Sequence, residues 1–457
     1  MDYSAGSKHL KKTTPLAARR GWFTWLVLAL VLVISGVTFA EERFPPPQFK
    51  KPHENPLVQY VAPRAEVWQY IDVAALAAAL AIGAYLTLVR RSRVGVFALT
   101  VACVAYFGFY RQGCVCAVGS IQNVAAATFD GAPLPWMVAL YFVLPLLAAL
   151  FFGRVFCAGV CPLGAIQDLV LFKPIQLPGW VEAGFGLFAH AYLGLAVLYA
   201  ATGSDFVICS WDPFVGFFRR SGSVGMLLIG AGLLISSMFI GRIYCRFICP
   251  YSVLLRALAR LAQWKVRISP KECIDCKLCE TACPFGALAR PTPAAGKSHD
   301  RDAAQRRILT VVGGCAALLI VLTALGYASR GYLAQVDRTV QLAQRIALEE
   351  SRKVTGTTDE SAAWHKGGEA ADELYNRARV IEGKFGVGGA LLGAWIALAV
   401  SARLIKYALP RKRTEYDADP ASCLSCARCF SSCPVEQERL GLVRVTVQGR
   451  QPETVAV

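Results

Sequence analysis

Cysteine carries the chemistry in this chain: it has seventeen, and most fall into regular motifs. The stretch "CIDCKLCETACP" supplies Cys273, Cys276, Cys279 and Cys283, and "CLSCARCFSSCP" supplies Cys423, Cys426, Cys429 and Cys433. Both read C-x2-C-x2-C-x3-C-P, a spacing in which three thiolates grip one [4Fe–4S] cubane and the fourth reaches a neighbouring one. Thiolates are soft, anionic donors suited to iron, and the proline turns the chain so that the last sulfur faces the other cluster. The pattern predicts Cys273, Cys276, Cys279 and Cys433 on one cluster, and Cys423, Cys426, Cys429 and Cys283 on a second. Lys271, Lys277 and Arg428 beside these motifs would tune potentials, dock an acidic partner, or simply follow membrane topology.

A second type of motif lies in apolar surroundings. "FCAGVCPLGAIQDL" holds Cys157 and Cys161, and "YCRFICPYSVL" holds Cys245 and Cys249, each pair four apart and followed by proline. On an α-helix that spacing puts both sulfurs on one face at successive turns, too close for a useful structural disulfide. "CVCAVGSIQNV" aligns with "CAGVCPLGAIQDL", so that Cys116 matches Cys161, Gly119 matches Gly164 and Gln122 matches Gln167. "CSWDPF" reads as a degenerate further copy, with Asp212 standing before Pro213. The repeat predicts two sulfur-rich sites. Cys157, Cys161, Cys245 and Cys249 would form one at the inner membrane face, as a metal or cluster site, a redox-active dithiol, or packing. Cys114, Cys116 and Cys209, with Asp212 as fourth donor, would form one at the outer face, as a metal or cluster site or with Cys209 in a disulfide. Gln122, Gln167 and Asp168 would be donors around these centres, the lining of a quinone pocket, or polar groups satisfying helix starts. Cys103 and Cys315 read as packing.

These motifs must be held by a membrane domain. Of 457 residues, 55% are hydrophobic and only 17% charged, too apolar for an ordinary soluble protein. About eight apolar runs are long enough to cross a bilayer, near 21–40, 69–89, 94–110, 134–152, 183–201, 223–240, 308–328 and 386–408. The net charge of +17 points to the positive-inside rule rather than to nucleic acid, and its distribution puts both termini in the cytoplasm. The first run ends "VTFAEE" and also reads as a long signal peptide. The expected organisation is a basic tail and first span (1–45), an extracytoplasmic proline-rich linker (46–68), and a core of four-plus-one spans with the duplicated Cys motifs (69–265). A first cluster-binding half (266–300), a two-span hairpin with an extracytoplasmic helical loop at 329–385 (301–409), and a second cluster-binding half (410–457) follow. Two spans separate the halves, so both return to the same side. In the loop, Leu333, Val336, Val340, Ala343 and Ala347 share one helical face, as do Leu374, Ala378 and Ile381. That hairpin would dock an extracytoplasmic redox protein or cap the bundle.

There is no C-x-x-C-H for attached haem, and of five histidines only His190 falls within a span. A pair of membrane haems cannot be built from this chain, so electrons crossing the bilayer would have to use the cysteine sites. The combined motif set, over roughly residues 70–435, resembles the NosR/NapH-type membrane polyferredoxin family. The resemblance implies an all-α polytopic inner-membrane protein of about eight spans with a split bacterial-type two-[4Fe–4S] ferredoxin domain on its cytoplasmic side. It implies a membrane electron-transfer protein linking a quinone pool or cytoplasmic reductant to extracytoplasmic respiratory enzymes, and it matches Cys157, Cys161, Cys245 and Cys249 to the family's Cys-x3-Cys-Pro positions. NosR-type members carry a large flavin domain ahead of the core, whereas only residues 41–68 separate the first two runs here. The expected role is therefore a subunit of a larger complex, with membrane lipid around it and a flavin or cytochrome subunit as outer partner, quinone or a cytoplasmic ferredoxin also being open. Two [4Fe–4S] clusters are expected, with further cysteine-ligated centres in the core. The alternative is a copper or iron reductase, or an assembly factor, working through the Cys-x3-Cys-Pro sites.

Overall fold

The structure, a computed structural model, describes residues 65–172, 174–219, 221–268, 276–289, 301–408, 416–439 and 441. The first expected span, most of the linker after it, Cys273 and both termini lie outside the described residues.

The described chain is helical apart from one ladder of two-residue strands. Five helices are long and apolar enough to cross a membrane: Glu66–Val89, Arg93–Tyr110, Gly179–Ala201, Leu309–Ala328 and Ala371–Ala408. Two other expected spans are shorter helices, Trp136–Phe152 and Val224–Ser237. At 1.5 Å per residue a 17-residue helix runs about 25 Å, short of a bilayer core of about 30 Å. The reason is local. Gly153, at φ 72°, stops the first of them, and in both cases the chain then winds into a Cys-x3-Cys turn.

The C-terminal hairpin is held by close backbone approach. Ala371–Ala408 is one uninterrupted helix, which fuses the expected loop helix with the expected last span. It packs along Arg301–Ala328. A Cβ added at Gly393 would overlap the Leu322 carbonyl, and one at Gly389 the Gly326 carbonyl. This is the small-xxx-small crossing that membrane helices use in place of a hydrophobic drive. Beyond the bundle, Arg338–Glu350 is N-capped by Asp337, whose carboxylate accepts from Thr339 N at 2.9 Å. Its buried face is Val340, Ala343 and Ile346, with Ala347 exposed, because the contact follows three-residue steps rather than the expected run to 347. That face meets Leu374, Ala378 and Phe385 and, from the core, Leu198 and Tyr199. The loop therefore sits over one end of the core.

Gly393→Leu should force the hairpin apart at a cost of about 1–3 kcal/mol, read as a lowered melting temperature in detergent. Gly383→Leu on the same helix, where an added Cβ meets nothing within 4 Å, should stay within about 0.5 kcal/mol.

Candidate metal centres

The two ferredoxin-type motifs fold alike. Lys277 and Ala427, at the same position in each, both adopt the left-handed conformation at φ 60°. Each then starts a short helix, Leu278–Ala282 or Arg428–Ser431. An antiparallel ladder, Leu288 opposite Ala418 and Ala289 opposite Asp417, joins the halves. Cys283, Cys423, Cys426 and Cys429 line a single cavity with Phe285 and Arg428. The structure thus brings the fourth cysteine of one half to the first three of the other. Of the partner set, Cys279 and Cys433 are half-buried and Cys276 exposed, with Cys273 outside the described residues. Burial pushes the Cys423 thiol up to about 12 and raises Cys426 and Cys429 too. Without iron these groups are thiols, so loading must displace their protons.

The Cys-x3-Cys stretches are not α-helical. Cys161 N donates to Phe156 O at 3.0 Å and Cys249 N to Tyr244 O at 2.8 Å. These are five-residue π-type turns, a form that recurs at functional sites. Cys161 is already extended, at ψ 119°, and Pro162 opens the buried helix Pro162–Leu169. The expected alignment of two sulfurs on successive α-turns is thereby corrected. The turns also re-enter the core. A Cβ on Gly159 would lie 2.7 Å from Thr100 Oγ1, and Thr100 is two turns inside the spanning helix that starts at Arg93.

Arginine holds these turns to the ferredoxin-type halves. Arg154 donates to Ala421 O at 3.0 Å and to Cys157 Sγ at 3.6 Å. Arg242 donates to Cys157 O and, at 2.6 Å, to Ala158 O, and its guanidinium lies 5.9 Å from the Phe285 ring centre. Arg93 reaches Cys426 O at 3.3 Å and Asp168 at 2.5 Å. Asp168 is also paired with Arg428 at 3.2 Å and Arg242 at 3.4 Å. Burial alone would raise its pKa, but Arg242, Arg93 and Arg428 outweigh that and hold it at about 2. Of these arginines the sequence singles out only Arg428 beside a motif; Arg154, Arg242 and Arg93 are not read from it as site residues. The signal was present: "GRVFC" and "GRIYC" place Gly-Arg ahead of both Cys-x3-Cys pairs. Gly153 faces Ser425 of one half, and Gly241 faces Pro284 and Phe285 of the other, so each core repeat receives one half.

The donor set fits an anionic cluster. Arg154 and Arg242 are fully buried, each keeps an Nε without a partner among the described residues, and Arg154 Nη2 lies 3.6 Å from Cys157 Sγ. Gln167 Nε2 donates to Cys245 Sγ at 3.5 Å. Among the described residues no three His, Cys, Asp or Glu side chains close around a single-ion position. A cubane needs no such closure, since its thiolates bind separate irons.

The other expected set is only partly assembled. A Cβ built on Gly119 would lie 3.5 Å from Cys209 Sγ and 3.7 Å from Cys116 Sγ, so these two sulfurs share one spot. Cys114 is exposed, with Arg219 Nη2 at 3.9 Å. Asp212 has partners besides sulfur: its Oδ1 accepts from Phe214 N and its Oδ2 from the Tyr244 hydroxyl, both at 2.9 Å. Cys116, Cys161 and Asp212 line one cavity, so the two expected sulfur sets approach each other inside the core. Gln122 and Gln167 serve neither of their own helix starts. Gln122 Oε1 accepts from Ile208 N at 3.0 Å and Cys209 N at 3.3 Å, and Gln167 Oε1 from Tyr244 N at 3.0 Å.

Comparison with known proteins meets this geometry. A family model described as a 4Fe-4S binding domain matches residues 134–175 and 223–269, spanning both Cys-x3-Cys pairs. A second, also described as a 4Fe-4S binding domain, matches residues 266–289. Regulatory protein NosR of Pseudomonas aeruginosa is 29% identical over 222 residues, 44% of this chain and 30% of that protein. Protein NirI of Paracoccus denitrificans is 27% identical over 215 residues, 44% of this chain and 31% of that one. These matches support a likeness to the NosR/NapH-type membrane polyferredoxin family. Methylamine utilization ferredoxin-type protein MauN of Methylobacillus flagellatus is 24% identical over 148 residues, 31% of this chain and 52% of its own length. The chain thus spans about half or less of these relatives. No solved structure matches it. It is a membrane protein carrying [4Fe–4S]-binding domains.

Asp168→Asn should leave three arginines around an uncharged group and cost about 3–5 kcal/mol, seen as a lower melting temperature at neutral pH. Because folding depresses the Asp168 pKa, its contribution is complete at neutral pH. It is lost as pH falls from the ordinary 3.8 through about 2, where protonation is required. The melting difference between the two proteins should narrow over that window.

Proposed function

We propose that this protein relays single electrons through the membrane between its dicluster domain and an extracytoplasmic redox partner, as one subunit of a respiratory complex. Cys273, Cys276, Cys279 and Cys433 would hold one cluster, Cys423, Cys426, Cys429 and Cys283 the second, and Cys157, Cys161, Cys245 and Cys249 a third in the core. Bound there, [4Fe–4S] clusters supply one-electron redox centres whose potentials follow local charge, hydrogen bonding and exposure.

The observation that carries this reading is the seam at Arg154 and Arg242. One guanidinium joins Cys157 Sγ to the backbone of the second ferredoxin-type half. The other joins the Cys157–Ala158 carbonyls to Phe285, which lines the cavity of Cys283, Cys423, Cys426 and Cys429. The two sulfur sites are therefore a side chain apart. Such contact fixes the separation on which electron tunnelling depends exponentially, and the arginines balance the charge of reduced centres. The re-entrant turns then carry the route toward mid-membrane. The helical loop over the far end of the core, next to Val207 and so close to Cys209, supports a docking place for the outer partner. NosR is named for regulation and MauN for methylamine utilisation, the latter as a ferredoxin-type protein. The shared element that supports the reading is the cluster-binding domain.

The test is iron and acid-labile sulfide per chain in anoxically purified protein. Three cubanes predict about twelve irons, falling to about eight when Cys245→Ser and Cys249→Ser are combined. A count near eight that ignores those substitutions would remove the core centre and with it the relay.

A further inference from the structure

The inner Cys-x3-Cys site has a copy that neither family model covers. Cys114, Cys116 and Cys209 lie outside residues 134–175 and 223–269, yet the core builds around them what it builds around the inner cysteines. In both copies an extended cysteine precedes a helix, Cys116 before Ala117–Phe129 and Cys161 before Pro162–Leu169. In both, a glycine three residues later leaves room for a sulfur from the facing turn: Gly119 for Cys209 at 3.5 Å, Gly164 for Cys245 at 3.3 Å. In both, a glutamine three residues further accepts backbone N–H groups of that turn.

The copies differ in one donor. Gln167 Nε2 donates to Leu163 O and to Cys245 Sγ. Gln122 is completely buried, and its Nε2 has no partner among the described residues. That nitrogen shares a carbon with the oxygen that accepts from Cys209 N, so it stands beside the Cys209 turn. A buried amide N–H left unmade costs about 1–3 kcal/mol, which an anionic sulfur acceptor would remove. Gly119 N already donates to Cys116 Sγ at 3.2 Å, and Arg219 reaches Cys114 Sγ. Two donors reach sulfur, Gly119 N on Cys116 and Arg219 on Cys114, and a third buried N–H stands unpaired beside the Cys209 turn, a set that suits thiolates carrying negative charge. A disulfide, being neutral, has no use for them.

We propose that Cys114, Cys116 and Cys209 hold a further iron–sulfur centre, in series with the one at Cys157, Cys161, Cys245 and Cys249. This deepens the relay reading and rests on it. Asp212 bridges the two sites: the Tyr244 hydroxyl donates to it from the residue before Cys245, and it lines a cavity with Cys116 and Cys161. With both centres loaded, a single electron would pass from one to the other across that buried contact, with no atom transferred.

The experiment uses full-length protein purified anoxically in detergent, assayed for iron, acid-labile sulfide and electron paramagnetic resonance signals after dithionite reduction. With this centre added to the three cubanes, wild type should carry about sixteen irons, and combining Cys116→Ser with Cys209→Ser should lower the count to about twelve and remove one signal, leaving intact those that depend on Cys245 and on the ferredoxin-type motifs. Gln122→Leu should keep the iron but shift that one signal. An unchanged iron count in the Cys116, Cys209 variant overturns the proposal. So does a Cys116–Cys209 disulfide found by non-reducing mass spectrometry in fully iron-loaded wild type, a measurement that stands even where the double variant does not fold. Failure of the relay itself is a separate result, since it shows as iron indifferent to Cys245→Ser and Cys249→Ser.

Discussion

A guanidinium taken out of water must be surrounded by acceptors or anions, and the organisation of this protein follows from that demand at Arg242 and Arg154. Both are fully buried. Desolvating a charge costs several kcal/mol unless it is paired and hydrogen-bonded. Arg242 meets the demand with Asp168 and the Cys157 and Ala158 carbonyls, Arg154 with Ala421 O and the Cys157 sulfur. These acceptors come from three separate parts of the chain. The charge is therefore satisfied only when the Cys-x3-Cys turn, the helix after it and the ferredoxin-type half are all in place.

A second constraint acts on the backbone. Non-helical chain at membrane depth is tolerated only where protein satisfies its polar groups. The π-type turns and the turn at Cys209 leave backbone N–H groups pointing into the core, and the two repeat glutamines accept from them. Each glutamine sits on one arm of a repeat and holds the turn of the other, which locks the pair of arms as a unit. This is why two arms carrying cysteines face one another instead of each packing separately.

The pseudo-symmetry extends beyond the membrane core. Gly153 and Gly241, equivalent in the repeat, receive opposite halves of the split ferredoxin-type unit. The long hairpin inserted between those halves returns the second motif to the first, where the Leu288–Ala289 and Asp417–Ala418 ladder and the shared cavity close the unit.

The sequence by itself determined the cofactor class, the pairing of Cys283 with the later motif, the apolar helices and the internal repeat, because each rests on ligand spacing or hydropathy that is local. It did not give partnership. Cys116 and Cys161, from different copies of the repeat, line one cavity, and Asp212 accepts from Tyr244. Gln122, Gln167 and Asp168 were open between roles, and the fold assigns them to facing turns and to three arginines. None of this is local. Whether a polar side chain inside a membrane serves its own helix, a neighbour's backbone or a buried charge depends on which groups the packed core leaves unsatisfied, and only the tertiary structure decides that.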